Sequence, residues 1–438
     1  MGMEWKKIRQ KTFLLLCMTV VLFFLLIRAR EGEPGKKGER AEILEIPEGE
    51  YVEEPEEIWS LPGADATIRV LLLAEDGGLF HEKQELDKEY AGELEYYEEE
   101  NGWVIVNELP LEEYLRWVVP SEMPSYYSME ALKAQAVCAR TYAVWHMQEY
   151  AYPEYEAHVD DSVSFQVYHN LENQETTDQA VRETEGQIML YEDTPVKAYY
   201  FATSCGSTTD EMIWEKGDRN LTPYITGHII GDMGTDKDLT DEEDFYSFIT
   251  TKHAGDLEIA EPWYRWNCYV PLEQITANVE TWADARAARS ADGILLQKGK
   301  QYVLPGNEEI GMVESAEITA RNTGGVVQQM LLRGQNGTLK IQYEYNIRLL
   351  LGVPGGEIHK NDGSTGDGGN LLPSGYFVLE PAEADGELTG YQVYGGGLGH
   401  GAGMSQNGAR IMAEQGNGYE EILQYFYNGI RLARLGET

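Results

Sequence analysis

Residues 118–142 read VVPSEMPSYYSMEALKAQAVCARTY. One glutamate, Glu122, stands between Pro120 and Pro124, just ahead of a run of small residues at helical spacing. Proline fixes its own φ and pushes the preceding residue toward extended conformations, so the two prolines predict a stiffened turn that carries Glu122. Ser128 is placed to cap the helix that follows, with Glu130 in its first turn. Ala131, Ala134, Ala136, Ala139 and Ala143 leave little side-chain bulk, so this helix can pack close to its neighbours. None of that requires chemistry. Two readings of Glu122 stand at this point: a carboxylate aimed at a ligand, or an acid that only favours the start of the next helix through its dipole.

Outward from this block, TIRVLLLA from Thr67 and GWVIVNELP from Gly102 are short β-branched and aliphatic runs that predict strands. Helical patterning begins at Leu111 in LEEYLRWVV. Pro195–Asp210, PVKAYYFATSCGSTTD, reads as an apolar strand entering a small-residue turn at Ser204–Ser207. ESAEITARN, VVQQMLLRG and TLKIQYEY predict a meander from Glu314 to about Tyr345, and NIRLLLG a short helix. The class is α+β, mixed helices and β-sheet, with a globular part from about residue 66 to 438. Residues 355–375 hold seven glycines among polar residues and are expected to form a flexible insertion.

The N-terminus points to a membrane. Thr12–Ile27, TFLLLCMTVVLFFLLI, carries no charge and follows Lys6, Lys7, Arg9 and Lys11. RAREGEP follows it rather than a small-x-small cleavage site, so residues 12–28 are expected to remain as a single-pass anchor, with residues 1–11 as a short tail. Residues 31–65 are charged, proline-bearing and without apolar period, an acidic linker that lifts a domain off a surface. The short tail makes an extracytoplasmic C-terminal bulk the simpler orientation. Across the 438 residues, 75 acidic against 34 basic side chains give a net charge of -41. Such a surface repels phosphate backbones, which argues against nucleic acid as a partner.

The last informative block is Tyr394–Ile430, YGGGLGHGAGMSQNGARIMAEQGNGYEEILQYFYNGI. Its glycines permit tight turns, and His400 and Gln406 are the side chains able to reach a ligand. No Gly-Lys-Ser/Thr ending follows, which removes a phosphate-cradling loop.

Three blocks in order, NELPLEEYLRWVVPSEMPSYYSMEALKAQAVCARTYA, AYYFATSCGSTTD and GLGHGAGMSQNGARIMAEQGNGYEEILQYFY, resemble the stage II sporulation protein D family, whose domain is shared with cell-wall amidase enhancers. The resemblance covers about residues 67–432. It implies a membrane-anchored peptidoglycan lytic transglycosylase that cuts between N-acetylmuramic acid and N-acetylglucosamine in a glycan-binding cleft, leaving a 1,6-anhydro sugar, as in septal wall remodelling during sporulation. Glu122 takes the position of the catalytic acid. One carboxylate suffices there: the muramic acid 6-hydroxyl is the nucleophile, so the second carboxylate of ordinary glycosidases can be dispensed with. A pKa raised by partial burial is expected at Glu122, with Tyr126 or Tyr127 as the apolar side.

The resemblance further implies substrate contacts from Tyr199, Tyr200, Ser204, His400, Ser405 and Gln406, the tyrosines by stacking on sugar rings. Arg140 is expected to be a buried hydrogen-bond anchor. Implied partners are peptidoglycan glycan strands, the membrane through the N-terminal helix, a cell-wall amidase and a membrane scaffold protein. No cofactor is implied. Family members with a zinc cluster place it after the catalytic helix, where HVDDSVSFQVYH offers His158 and His169 without a cysteine, so no metal is expected. A Cys138–Cys205 bond is weighed against free buried thiols, the commoner state of a small core cysteine; Cys268 would stay single. Two other classes remain open: a non-catalytic glycan-binding enhancer of an amidase, and a structural clamp between membrane and wall.

Overall fold

A computed structural model describes residues 61–437, apart from 75–76, 83–85, 87–88, 163, 169–173, 216, 219, 232–236, 253, 291 and 306–309. The tail, the anchor at 12–28 and nearly all of the linker lie outside the described residues, as does His169. Among the described residues no helix is long and apolar enough to cross a membrane. The described residues form eight α-helices and several sheets, a mixed α+β protein. The chain divides into two units, one of residues up to Ser125 with Tyr142–Gln187 and the last few residues, the other of Tyr126–Thr141 with Ile188–Ala433.

The first unit is built on a four-stranded sheet. Strands β1 (Thr67–Leu72), β2 (Glu93–Glu99) and β3 (Gly102–Pro110) pair antiparallel, and the short β4 (Val159–Asp160) runs parallel beside β1, in the order β2-β3-β1-β4. Ile68 and Val70 of β1 and Val104, Ile105 and Val106 of β3 are buried, as their β-branched patterning requires. Helix α1 (Leu111–Glu122) buries Leu111, Tyr114, Leu115, Val118 and Val119, a single face at the i, i+3, i+4, i+7, i+8 spacing.

The expected proline turn is corrected here. Pro120 is buried inside the last turn of α1, and Glu122 is the terminal residue of that helix. Proline has no N–H for the Arg116 carbonyl, so the helix cannot continue far beyond it. Met123 closes it in an extended conformation, its N–H bonded to the Val119 carbonyl at 2.9 Å. Helix α2 (Met129–His146) then begins where expected, the Leu132 N–H on the Ser128 carbonyl, with its alanines buried. Helix α3 (Glu175–Glu183) holds Asp178 against Arg116 of α1 at 2.7 Å.

The second unit opens on the hairpin of β5 (Gln187–Tyr191) and β6 (Thr194–Pro195). The strand expected over Pro195–Thr203 shrinks to β7 (Tyr200–Phe201). Helix α4 (Glu242–Ile249), β8 (Trp266–Pro271), α5 (Leu272–Arg289), β9 (Ile294–Lys298) and β10 (Gln301–Val303) follow. The predicted meander is present as β11 (Val313–Arg321), β12 (Val327–Gly334) and β13 (Gly337–Gln342), and the short helix as α6 (Glu344–Leu350). These strands form one antiparallel sheet ordered β10-β9-β13-β12-β11.

The glycine-rich stretch departs from expectation. It is an ordered hairpin, β14 (Glu357–Lys360) with β15 (Thr365–Asp367), at one edge of a second sheet ordered β15-β14-β8-β17-β16, where β16 is Phe377–Ala384 and β17 Glu387–Gly395. A Cβ at Gly368 would lie 2.2 Å from the Val353 carbonyl oxygen, so at least this glycine serves close backbone approach rather than flexibility. Trp266, Val270, Met330, Ile341, Phe377 and Val393 belong to the shared core of these sheets. The unit ends with β18 (Met404–Ser405), α7 (Gln406–Glu414) and α8 (Tyr419–Phe426).

Candidate functional site

In the first unit the site is built around Glu122. The residue is part-buried, and its Oε1 accepts the Val167 N–H at 2.8 Å. The loop that supplies this donor is pinned on several sides. Asp160 accepts from the Ser162 N–H at 2.7 Å and from the Tyr152 hydroxyl at 2.7 Å. The Tyr168 hydroxyl donates to Asn107 at 2.7 Å, and Tyr114 to Gln166 at 3.4 Å. Burial first, then the neighbouring Tyr168 and the charge of Glu122, hold the Tyr114 phenol well above its ordinary pKa. Burial, with Glu122 and Asp160 behind it, raises Tyr142 in the same direction. Both phenols therefore remain protonated within the electrostatic reach of Glu122.

Glu122 thus occupies the C-terminal end of a helix, the negative pole of its dipole, where a carboxylate gains no stabilisation. Six residues separate it from the start of α2. The helix-start explanation of this glutamate does not hold.

In the second unit the two small-residue blocks meet through β7 and β18, which pair in parallel, Met404 with Tyr200 and Ser405 with Phe201. Thr203 and Leu398 exchange both backbone hydrogen bonds, at 3.1 and 2.8 Å. At Gly403, φ is +77° and a Cβ would lie 2.0 Å from the Tyr199 carbonyl oxygen, so only glycine lets the strands approach this closely. His400 locks the crossing. Its Nδ1 accepts the Ala402 N–H at 3.1 Å, which makes Nε2 the protonated nitrogen that donates to the Tyr200 carbonyl at 3.0 Å. Desolvation, with the charge of Arg348 behind it, lowers the imidazole pKa to about 4, so the ring is neutral. What it offers a ligand is its ring, packed 5.2 Å from Trp214 and 6.2 Å from Tyr199, which in turn lies 4.7 Å from Trp214.

Ser204 and Ser405 lie inside the protein, their side chains converging on Glu258. The Ser204 N–H and Oγ donate to it at 2.9 and 2.6 Å, and Ser405 adds another hydrogen bond. Ser405 Oγ also caps α7 by accepting the Gly408 N–H at 3.2 Å. Glu258 is wholly buried, and desolvation outweighs these bonds to lift its pKa to about 7. The sequence reading missed this residue; its position between Leu257 and Ile259 was the available signal. Tyr199, Tyr200 and Gln406 keep partial exposure, and Gln406 Nε2 reaches Gln135 Oε1 at 3.4 Å.

Tyr126 and Tyr127, expected beside Glu122, belong to the second unit. There Tyr127 donates to Asn407 at 2.6 Å, Asn407 to Thr203 at 2.9 Å, and the Arg410 guanidinium lies 5.5 Å from the Tyr127 ring centre. Arg140 is fully buried, as expected. Cys138, Cys205 and Cys268 are free and buried, and burial pushes each thiol up to about 12. His158 Nδ1 accepts the Arg69 N–H at 3.0 Å, which ties the ring to β1.

Residues 99–191, the segment that holds Glu122, match the family model described as Stage II sporulation protein. That segment is similar to the stage II sporulation protein D family. Stage II sporulation protein D of Bacillus amyloliquefaciens is 27% identical over 344 residues, covering 75% of each chain. The amidase enhancer of Bacillus subtilis is 27% identical over 332 residues, 73% of this chain but only 40% of that protein. An uncharacterized protein of Brachyspira hyodysenteriae is 27% identical over 343 residues, 78% of this chain and 72% of its own. Residues 209–403 match a second family model, described only as a domain of unknown function.

Proposed function

We propose that this protein is a member of the stage II sporulation protein D family, a peptidoglycan lytic transglycosylase with Glu122 as its general acid and base. The observation that supports this most is the position of Glu122: a part-buried carboxyl group at a helix C-terminus that accepts a backbone amide from a braced loop. Protonated Glu122 gives its proton to the glycosidic oxygen as the bond from the muramic acid anomeric carbon breaks. The 6-hydroxyl of the same sugar bonds to that carbon and returns its proton to Glu122. The products are a 1,6-anhydro-muramoyl end and a free sugar hydroxyl, with no net proton change. Tyr199 and Trp214 supply aromatic faces for a sugar ring. The uncharged run at residues 12–27 would hold the chain at the membrane with its bulk outside the cytoplasm.

The relative named amidase enhancer supports a second reading, in which the same fold binds glycan and stimulates a cell-wall amidase without cutting the strand itself. Glycan pull-down and glycan cleavage, measured separately on the wild type and on Glu122→Gln, separate the two. The enzyme reading expects binding to persist and cleavage to fall; the enhancer reading expects neither protein to cleave, and amidase stimulation to survive the substitution.

A further inference from the structure

A cavity of about 400 Å³ in the second unit, within the roughly 300–1,000 Å³ usual for small-ligand sites, has no part in the chemistry above. The end of β14 supplies His359 and Lys360, β8 supplies Trp266 and Asn267, β17 supplies Tyr394, and α4 with the residues after it supplies Tyr246 and Lys252. Arg265 forms part of the wall.

Its charge runs against that of the whole chain. Lys252, Arg265 and Lys360 line it in a protein with 34 basic and 75 acidic residues, and none of the three is ion-paired with a described carboxylate. Lys252 Nζ reaches only the Asn361 carbonyl, at 3.4 Å, and Lys360 Nζ lies 4.7 Å from the Trp263 ring centre. Asp362, whose pKa Lys360 helps to lower, turns back on Ser364 instead. Arg265 is 8% exposed; its terminal nitrogens bond the carbonyls of Cys205, Tyr264, Phe248 and Thr251, and its Nε has no partner. Four carbonyls engage its terminal nitrogens without cancelling its charge. The cavity's one acidic side chain, Glu380, takes a hydrogen bond from the Tyr246 hydroxyl. The buried charge of Arg265, without a carboxylate beside it, is costly among low-dielectric walls, and an anion in the cavity removes that cost, with Lys252 and Lys360 adding attraction from the more exposed side.

The remaining lining is suited to a polyol. Tyr394 offers a ring, Asn267 an amide, and Asn361 a buried Oδ1 with no hydrogen-bond partner. We propose that this cavity binds a small carboxylate- or phosphate-bearing polyol, and that residues 209–403 thereby carry an anion-recognition site separate from Glu122. The proposal does not rest on the transglycosylase reading.

Isothermal titration of the purified full chain at low salt tests it, with N-acetylmuramic acid and glycerol 3-phosphate as anionic probes and N-acetylglucosamine as the neutral one. At least one anion is expected to bind tenfold or more tighter than the neutral sugar. The Lys252→Gln/Lys360→Gln double variant is expected to lose tenfold or more of that affinity, with an unchanged unfolding temperature and unchanged glycan cleavage. Tighter binding of the muramic acid identifies a carboxylate ligand, and tighter binding of the glycerol phosphate a phosphate one. Binding that persists in the double variant, equal affinity for neutral and anionic probes, or no binding of either anion overturns the site.

Discussion

Glu122 and Glu258 are both glutamates inside family blocks or bonded to them, yet their surroundings are opposite. Glu122 ends a helix, keeps part of its surface in solvent and takes a 2.8 Å bond from a backbone amide. Glu258 has no exposed surface and is enclosed by the Ser204 amide, the Ser204 hydroxyl and Ser405. Its pKa near 7 marks it at first sight as the better acid catalyst, since functional groups often show such shifts. Burial decides otherwise: a group that no substrate atom can reach cannot transfer a proton to one. The same comparison explains the two serines, which serve Glu258 and the cap of α7.

The largest expected effect separates these carboxyl groups directly. Glu122→Gln should lower the glycan-cleavage rate by about 10² to 10⁴, the usual contribution of a positioned acid-base group, while leaving the unfolding temperature near wild type. Glu258→Gln should leave cleavage within a small factor of wild type, because an amide can still accept from Ser204. Loss of cleavage by a correctly folded Glu258→Gln protein would exchange their roles.

Stability reverses the ranking. Glu258→Ala leaves the Ser204 and Ser405 donors without an acceptor and opens a void, at a cost of about 3 kcal/mol by denaturant unfolding. A loss below about 1 kcal/mol would show that the network is dispensable.

The pH dependence sharpens the point. A carboxyl group whose pKa rises from 4.5 unfolded to about 7 folded favours the native state at acid pH. That contribution, roughly 3 kcal/mol, is lost as pH climbs through this window. His400 and His158 act in the opposite sense: with folded pKa values near 4 against 6.5, they cost stability as pH falls from about 6.5 to 4. The informative curve is therefore wild type minus Glu258→Gln, which should slope downward from pH 4.5 to 7. A flat difference would contradict the raised pKa.

The smallest effect concerns the aromatic face. Trp214→Ala should weaken glycan binding by about 3- to 10-fold, as expected for loss of one stacking contact, with little change in the bound-state cleavage rate. Unchanged affinity would remove Tyr199 and Trp214 from the substrate path.

Much of this architecture was legible in the sequence, for physical reasons that can be named. The period-two burial of Leu339 and Ile341 in β13 and of Met330 and Leu332 in β12, with the i, i+3, i+4 face of α1, records which side chains are buried, so these elements could be read directly. Pro120 misled because proline marks a helix end as well as a turn, and only the preceding residues in the helix show which. The glycines of 355–375 misled because flexibility and close backbone approach use the same residue. His400 was identifiable as a loop residue, but the Tyr200 carbonyl that its Nε2 meets comes from folding 200 residues of chain back onto it, while the Ala402 N–H on its Nδ1 is local. Glu258 was missed because nothing local announces that Ser204 and Ser405 will surround it.

The central claim concerns the product as much as the residue. Purified glycan strands freed of stem peptides, incubated with the full chain and analysed by mass spectrometry, should yield fragments ending in 1,6-anhydro-N-acetylmuramic acid, and Glu122→Gln should yield almost none. Fragments with ordinary reducing ends, intact strands that are bound but not cut, or anhydro products from Glu122→Gln at a rate near wild type would contradict the account.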